Sequence, residues 1–184
     1  MRFQVRASSS FFSIFFLILL FTTNGCSSIP KKSFPELNTV PYVDIERYLG
    51  KWYEIALYPN WFEKGCFSST ALYESLEDNQ IRVTNQCRMY SRNGELNEAV
   101  GRAFIFDKNS NAKLKVQFFW PFKGDYWIVE LDRDYQYAVV SEPGRQYLWI
   151  LSRTPEMDPK ELLVLKEKLK EKGFDLNYLQ YTRH

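Results

Sequence analysis

Short runs of hydrophobic residues alternate with polar turn clusters along most of the chain. From residue 51 onward the runs are rich in Val, Ile, Tyr, Phe and Trp, and clusters such as SRNG, KNSN and EPGR separate them. Polar and apolar positions alternate strictly in residues 80–83 and 113–118, which is the period of a half-buried strand. The pattern predicts eight strands, over residues 51–58, 66–75, 80–88, 96–106, 112–120, 125–131, 135–142 and 146–153.

Evenly spaced strands with short links favour an antiparallel meander, and closure of a meander into a barrel removes both exposed edges. We therefore predict an all-β fold, an eight-stranded antiparallel up-and-down β-barrel. Links alternate between the two ends of such a barrel, so those after odd-numbered strands share one end. This places Trp52, the turn at residues 132–134 and Arg153 at the same end, with Cys66 and Cys87 at the other.

One segment near the C-terminus has helical periodicity. Asp158 is a favourable N-cap before a proline, and Gly173 followed by Phe174 is typical of a helix stop. We predict a C-terminal α-helix over residues 158–172 that packs outside the barrel. Its apolar stripe is formed by Leu162, Leu165 and Leu169.

The first residues have the features of an export signal. Residues 1–25 carry two arginines, an apolar core at 11–21 and a small-residue cleavage site. The Gly-Cys pair that follows resembles the bacterial lipobox, which implies lipidation of Cys26 in a Gram-negative outer membrane; ordinary cleavage nearby is the alternative. Residues 26–41, polar and proline-rich, are the predicted lipid-anchored tether, and residues 42–184 the folded domain.

Export changes the expected charge and cysteine chemistry. Without residues 1–25 the chain has 22 basic and 22 acidic residues, so its charge predicts no nucleic-acid partner. Cys66 and Cys87 remain as a pair in an oxidising compartment, where we expect a disulfide that stabilises by roughly 3 kcal/mol.

Three motifs occur in a fixed order along the domain. Gly50 and Trp52 follow a short helical turn at residues 44–49, LDRDY covers residues 131–135, and WILSRTP covers residues 149–155. Together they resemble the three signature regions of the lipocalin family, and in particular its bacterial outer-membrane lipoproteins. The resemblance implies that Trp52 closes one end of the barrel beneath Arg153, and that the ligands are fatty acids or lysophospholipids.

An eight-stranded barrel is wide enough to hold one small ligand. Strand alternation predicts a mostly apolar lining, with Glu54 either bonded to a tyrosine or water or contacting a ligand head-group. Aromatic residues at the mouth, including Trp120 and Phe122, either gate the cavity, touch a membrane or pack on one another. The predicted ligand-binding residues are Glu54, Ala56, Tyr58, Trp61, Phe62, Val83, Leu114, Val116, Phe118 and Tyr126.

The sequence favours a lipid carrier over two other classes of protein. A lipid-modifying enzyme on the same barrel is disfavoured because His184 is the only histidine and no GxSxG motif occurs. No catalytic residue, metal site or cofactor is predicted. A structural or partner-binding protein of the cell envelope, with its barrel filled by aromatic side chains, is the other alternative. The oligomeric state, a homodimer included, is left open.

Overall fold

The computed structural model describes residues 35–184. The predicted signal segment, Cys26 and the first part of the predicted tether lie outside the described residues. Within residues 35–184 no helix is both long and apolar enough to cross a bilayer.

A single antiparallel sheet closes on itself to form the barrel. The helices are α1 (Ile45–Tyr48) and α2 (Pro159–Glu171), with short 3₁₀ turns at Glu77–Asn79 and Leu176–Tyr178. Each strand from β2 to β7 pairs with the strand that follows it, and β1 pairs with both β8 and β2. The predicted eight-stranded barrel with an outer helix is therefore confirmed, with one further strand. The strands are β1 (Gly50–Leu57), β2 (Cys66–Ser75), β3 (Gln80–Met89), β4 (Leu96–Ile105), β5 (Lys113–Phe119), β6 (Phe122–Leu131), β7 (Tyr137–Ser141), β8 (Leu148–Ser152) and β9 (Gln180–Tyr181).

The extra strand, β9, completes the barrel wall near the mouth. β1 pairs with β2 only as far as Tyr53, whose partner is Thr70. Beyond that point Ala56 and Leu57 pair with β9 instead. The chain after β9 continues in the same seam, where the backbone N–H of Ser68 donates to the carbonyl of Arg183 at 2.9 Å. Residues 180–183 thus lie between β1 and β2 at the mouth.

A β-bulge interrupts β1 in its middle. Glu54 pairs with Leu151 and Ala56 pairs with Ile150, so Ile55 is the extra residue on the β1 side. A bulge reverses the alternation of side chains along a strand. The residues after Ile55 consequently lie on faces opposite to those that simple alternation assigns.

The buried side chains form two separate cores. One fills the lower barrel interior and includes Trp52, Tyr73, Ile128 and Leu151. The other lies between the outside of the barrel and α2. Its members include Ile55, Ala56, Tyr58, Val129, Ile150, Leu165 and Leu169.

Helix α2 has the predicted boundaries because its caps are made locally. The Asp158 carboxylate accepts from the N–H of Lys160 at 2.7 Å. At the other end Gly173 has φ +86°, and the N–H of Phe174 donates to the carbonyl of Leu169 at 3.0 Å. The left-handed glycine and this six-to-one bond are a Schellman stop.

The closed end of the barrel is held by one buried indole and one arginine. The Trp52 Nε1–H donates to the carbonyl of Tyr48 at 2.8 Å, and the Arg153 guanidinium lies 3.7 Å from the Trp52 ring centroid. Arg153 also donates to the carbonyls of Lys51 and Arg47 at 2.9 and 2.7 Å. This is the arrangement that the family resemblance implied, and it joins α1, β1 and β8.

The predicted disulfide is present at the opposite, mouth end. Cys66 at the start of β2 is bonded to Cys87 near the end of β3, with their Cα atoms 5.4 Å apart. The bond ties together the two strands that flank the hairpin at residues 76–79.

Residues 35–41, which the sequence assigned to the tether, already pack against the barrel. Leu37 is buried in the core beneath α2. The N–H groups of Val40 and Val43 donate to the carbonyls of Ile128 and Ser110 at 3.0 and 2.7 Å. The packed domain therefore begins before residue 42.

Candidate functional site

The interior wall has a buried lower part and a more accessible upper part. Val83 and Leu114 are almost fully buried in the interior core. Val116, Phe118 and Tyr126 also pack against that core, yet each retains intermediate exposure. The upper three residues are thus less completely buried than the lower two, and all five contribute to the wall of the interior core.

Three tyrosines form a hydroxyl cluster in the interior. The Tyr126 hydroxyl lies 2.8 Å from that of Tyr48 and 2.7 Å from that of Tyr73. Burial raises the pKa of Tyr73 to about 12, and burial likewise raises the pKa values of Tyr48 and Tyr126. All three remain neutral donors. Because three hydroxyls share two hydrogen bonds with one another, one O–H hydrogen is left for another partner.

Two carboxylic acids lie close together at the upper end of the interior. Glu54 comes from β1 and Glu63 from the link between β1 and β2. Glu63 accepts from the Trp149 indole N–H at 3.1 Å and from the Asn60 amide at 3.2 Å. The Thr182 hydroxyl donates to Glu54. Thr182 is thus a hydrogen-bond partner of Glu54 that the sequence did not predict.

The environment of this acid pair favours the protonated form. Burial, and then the charge of Glu63, raises the pKa of Glu54 to about 8. Burial also raises the pKa of Glu63. Two carboxylates this close cannot both ionise easily away from water, so the pair retains a proton near neutral pH. The Ser69 hydroxyl, buried beside the pair, lowers the pKa of Glu54 by less than burial raises it.

A cavity of about 460 Å³ adjoins the acid pair at the mouth. The link at residues 58–65, the start of β2 and residues 180–183 supply its walls. Its lining mixes polar and apolar side chains and carries both signs of charge, from Glu54 and Glu63 and from Lys64 and Arg183. Glu54 is the one predicted ligand-binding residue in this lining. The volume is in the range of small-molecule sites.

Ala56 and Tyr58 do not face the interior, so their predicted orientation is wrong. Both lie in the core between the barrel and α2. The Tyr58 hydroxyl donates to the carbonyl of Asp175 at 2.8 Å, and its ring contacts Phe174 at 6.3 Å between centroids. The bulge at Ile55 causes the error because it moves these residues to the outer face.

The aromatic residues at the mouth are only partly packed. The rings of Trp61 and Phe62 contact each other at 5.5 Å between centroids, and Phe62 also contacts Trp149 at 6.3 Å. Trp61 nevertheless remains 79% exposed, and Trp120 and Phe122 remain 87% and 76% exposed. These side chains do not close the top of the barrel.

Sequence reasoning missed four residues that the structure brings to the site: Glu63, Ser69, Trp149 and Thr182. An acid within the aromatic link WFEKG was a signal for Glu63. Trp149 was noted only as part of a motif. Thr182 carried no signal, because its place depends on the return of the C-terminal segment to β1. No group of three or more His, Cys, Asp or Glu side chains within residues 35–184 is arranged to hold a metal ion.

Comparison with known proteins gives consistent matches. A family model described as a lipocalin-like domain matches residues 43–184. The outer membrane lipoprotein Blc of Vibrio cholerae serotype O1 is 42% identical, over 93% of this chain and 98% of the relative. Temperature-induced lipocalin-1 of Arabidopsis thaliana is 38% identical, over 80% and 82%. Insecticyanin from the tobacco hornworm Manduca sexta has the same fold, with a TM-score of 0.66 at 19% identity, over 83% and 86% of the two chains.

Proposed function

This chain belongs to the lipocalin family, and from that premise we propose that it binds single-chain lipids, fatty acids or lysophospholipids, inside its barrel. We further propose that it stores or carries them at the outer membrane of a Gram-negative bacterium, held there by a lipid on Cys26. The similarity to an outer membrane lipoprotein supports the location. The lipobox-like sequence at residues 23–26 supports the anchor.

The incomplete burial of the apolar upper wall is the observation that carries the proposal. Val116, Phe118, Tyr126 and Trp149 pack against the interior core but keep intermediate exposure. Each methylene of an acyl chain buried against such a wall contributes roughly 0.8 kcal/mol before the costs of binding. This wall, with Val83 and Leu114 below it, suits an acyl chain and not a large polar ligand.

The polar groups suit the two ends of such a ligand. The one hydroxyl hydrogen that the tyrosine cluster does not use internally can be donated to a polar group of a ligand in the interior. The mixed charges around the mouth cavity suit a head-group that stays near solvent. Glu54 and Glu63 are part of the lining of that mouth cavity. Ala56 and Tyr58 have no part in the proposed site, because they face α2.

The incomplete burial of Val116, Phe118 and Tyr126 also favours a carrier over a structural protein with a filled barrel. For the enzyme alternative, the acid pair Glu54 and Glu63 is the main candidate for the catalytic groups. It lies beside no cysteine or histidine side chain that forms a nucleophile–base pair with it: Cys66 and Cys87 are disulfide-bonded, and His184 contacts the backbone carbonyl of Glu54 at 2.7 Å. Binding without turnover is therefore the proposed activity.

Titration with oleate, followed by quenching of tryptophan fluorescence, tests the proposal. We expect saturable binding with a micromolar or lower Kd. Phe118→Glu should weaken it at least tenfold, because a charge would be buried in the apolar wall. Gln117→Glu is the matched control, since Gln117 is next in sequence but on the outer face, paired with Arg102. Absence of oleate binding, together with absence of co-purified lipid, would favour the filled-barrel alternative.

A further inference from the structure

A group of exposed aromatic side chains surrounds the mouth of the barrel. We call it the rim. Its members come from three of the four mouth links and the strand ends beside them. They are Trp61, Phe62, Tyr90, Phe119, Trp120 and Phe122. Four of them are more than 75% exposed, namely Tyr90, Trp61, Trp120 and Phe122. So many large apolar side chains at one end of a molecule mark an interaction surface.

The described chain begins at this same end. The carbonyl of Pro35 accepts from the Arg145 guanidinium at 2.7 Å, and Arg145 lies in the mouth link between β7 and β8. From there the chain descends along the barrel wall, until Val43 bonds to Ser110 in a link at the closed end. The polypeptide therefore reaches the domain beside the mouth.

The length of chain before Pro35 limits which end can face the bilayer. Eight residues, 27–34, separate Cys26 from Pro35. Even fully extended, this length of chain spans only about 30 Å. A ten-residue strand such as β3 is itself about 33 Å long. A lipid on Cys26 thus keeps the mouth near the membrane, whereas the closed end could face it only if the chain ran back along the whole barrel.

The chemistry of the rim matches a lipid surface. Trp and Tyr are the residues enriched where protein meets the head-group region, because their rings are apolar with a polar edge. Exposed lysines stand next to the rim aromatics, Lys64 after Trp61 and Phe62, and Lys123 after Phe122. Lysine in this setting adds attraction to anionic head-groups.

We propose that the rim is a membrane-docking surface, which seats the open end of the barrel on the head-group region of a lipid bilayer. Docking in this orientation places the entrance of the barrel against the membrane. If the chain carries single-chain lipids, as proposed above, a lipid passes between bilayer and barrel with little exposure to water. The docking itself does not depend on that function.

Vesicle binding by the exported chain with Cys26→Ala, which lacks the anchor, tests the proposal. Co-sedimentation with phosphatidylcholine–phosphatidylglycerol vesicles should give clear binding of this protein. Combined replacement of Phe119, Trp120 and Phe122 by Ser, which leaves the predicted ligand-binding residues unchanged, should reduce the partition coefficient at least tenfold. The matched control is Phe106→Ser, because Phe106 is 70% exposed but lies at the closed end, and it should change binding less than twofold.

Two results would overturn the docking surface. One is that the rim variant binds vesicles as well as the parent protein does, or that Phe106→Ser loses as much vesicle binding as the rim variant. The other is no vesicle binding by the parent combined with a rim-dependent dimer in analytical ultracentrifugation, which would make the rim a contact between copies of this chain.

Oleate titration of the same variants separates this proposal from the proposed function. The rim variant should bind oleate in solution within twofold of the parent, which also shows that it is folded. If the rim variant loses vesicle binding but keeps its oleate binding, the result supports the docking surface. Vesicle binding that depends on the rim in a protein that never binds oleate would refute the lipid-carrier function and leave the docking surface standing.

Discussion

At the residue scale, Arg153 shows how one side chain connects several elements of the closed end. It covers the Trp52 ring and donates to three backbone carbonyls of the segment at residues 47–51. A cation–π contact of a desolvated arginine contributes up to about 2 kcal/mol, and bonds from a charged donor add to it. These contacts are with the Trp52 ring and with backbone carbonyls, not with the Tyr48 hydroxyl or another side chain of the proposed ligand site.

Arg153→Ala should therefore lower the free energy of unfolding by about 2–4 kcal/mol and leave oleate affinity within twofold. Urea unfolding and fluorescence titration measure the two effects. Arg133→Ala, at an exposed position in the neighbouring turn, should change stability by less than about 0.5 kcal/mol. A loss of affinity as large as the loss of stability would show that the closed end contacts the ligand.

Glu54 is the residue whose burial makes stability depend on pH. Its pKa in the folded protein, about 8, lies above the value of 4.5 for an unperturbed carboxyl. The folded protein therefore holds a proton that the unfolded chain has released, between about pH 4.5 and 8. The stabilisation is complete below pH 4.5 and is lost as the pH rises to 8.

We expect this loss to be about 3–5 kcal/mol for the unmodified protein, and Glu54→Gln to remove most of it, because Gln has no proton to lose. Thermal or urea unfolding at pH 5.5 and 8.5 measures the difference. Glu77→Gln, at an exposed position, should retain the full dependence. Parallel pH profiles for Glu54→Gln and the unmodified protein would show that Glu54 is ionised when folded.

At the scale of the elements, the bulge in β1 separates the two roles of one strand. Before Ile55 the strand places Trp52 and Glu54 inside the barrel, and after it Ala56 and Tyr58 face α2. The second half of β1 thus attaches the helix and β9 to the wall. A single extra residue allows both roles, because it moves the side chains that follow it to the other face of β1 without breaking the pairing of β1 with β8.

Tyr58→Ala should consequently reduce stability without a direct effect on binding. The change removes a buried ring and its hydrogen bond to Asp175, at a cost of about 3 kcal/mol or more. Urea unfolding should show this loss, while oleate affinity at low temperature stays within twofold. Tyr42→Ala, 58% exposed, is the control for both measurements. A loss of oleate affinity without a loss of stability would show that Tyr58 belongs to the ligand site.

At the scale of the whole molecule, the disulfide and the aromatic rim both belong to the mouth, whereas the buried indole closes the far end. The two ends are therefore stabilised by different means, a covalent bond at the open end and dense packing at the closed one. The mouth can remain open because the Cys66–Cys87 bond holds β2 and β3 together there.

Replacement of both Cys66 and Cys87 by Ser should lower stability by roughly 3 kcal/mol, since the bond restricts the unfolded chain. Urea unfolding with and without a reducing agent measures this. The reducing agent should destabilise the unmodified protein to the level of the double variant and leave the variant unchanged. Equal stability of oxidised and reduced protein would indicate that packing alone holds the mouth.

The sequence by itself determined the strands, the outer helix, the disulfide and the family. Each of these depends on local signals, such as period-two alternation, capping residues, cysteine number and short motifs, that adjacent residues carry. Val83, Leu114, Val116 and Phe118, which alternation assigns to the inner face, all lie in or against the interior core, and the register shift in β5 occurs only at its mouth end.

Only the tertiary structure decided the rest. A bulge is a property of a strand and its partner together, so β1 alone could not reveal that Ala56 and Tyr58 face outward. The pairing of β9 with β1, and with it the contact of Thr182 with Glu54, joins residues more than 120 positions apart. The raised pKa of Glu54 has the same origin, because burial and the proximity of Glu63 exist only once the chain has closed into a barrel.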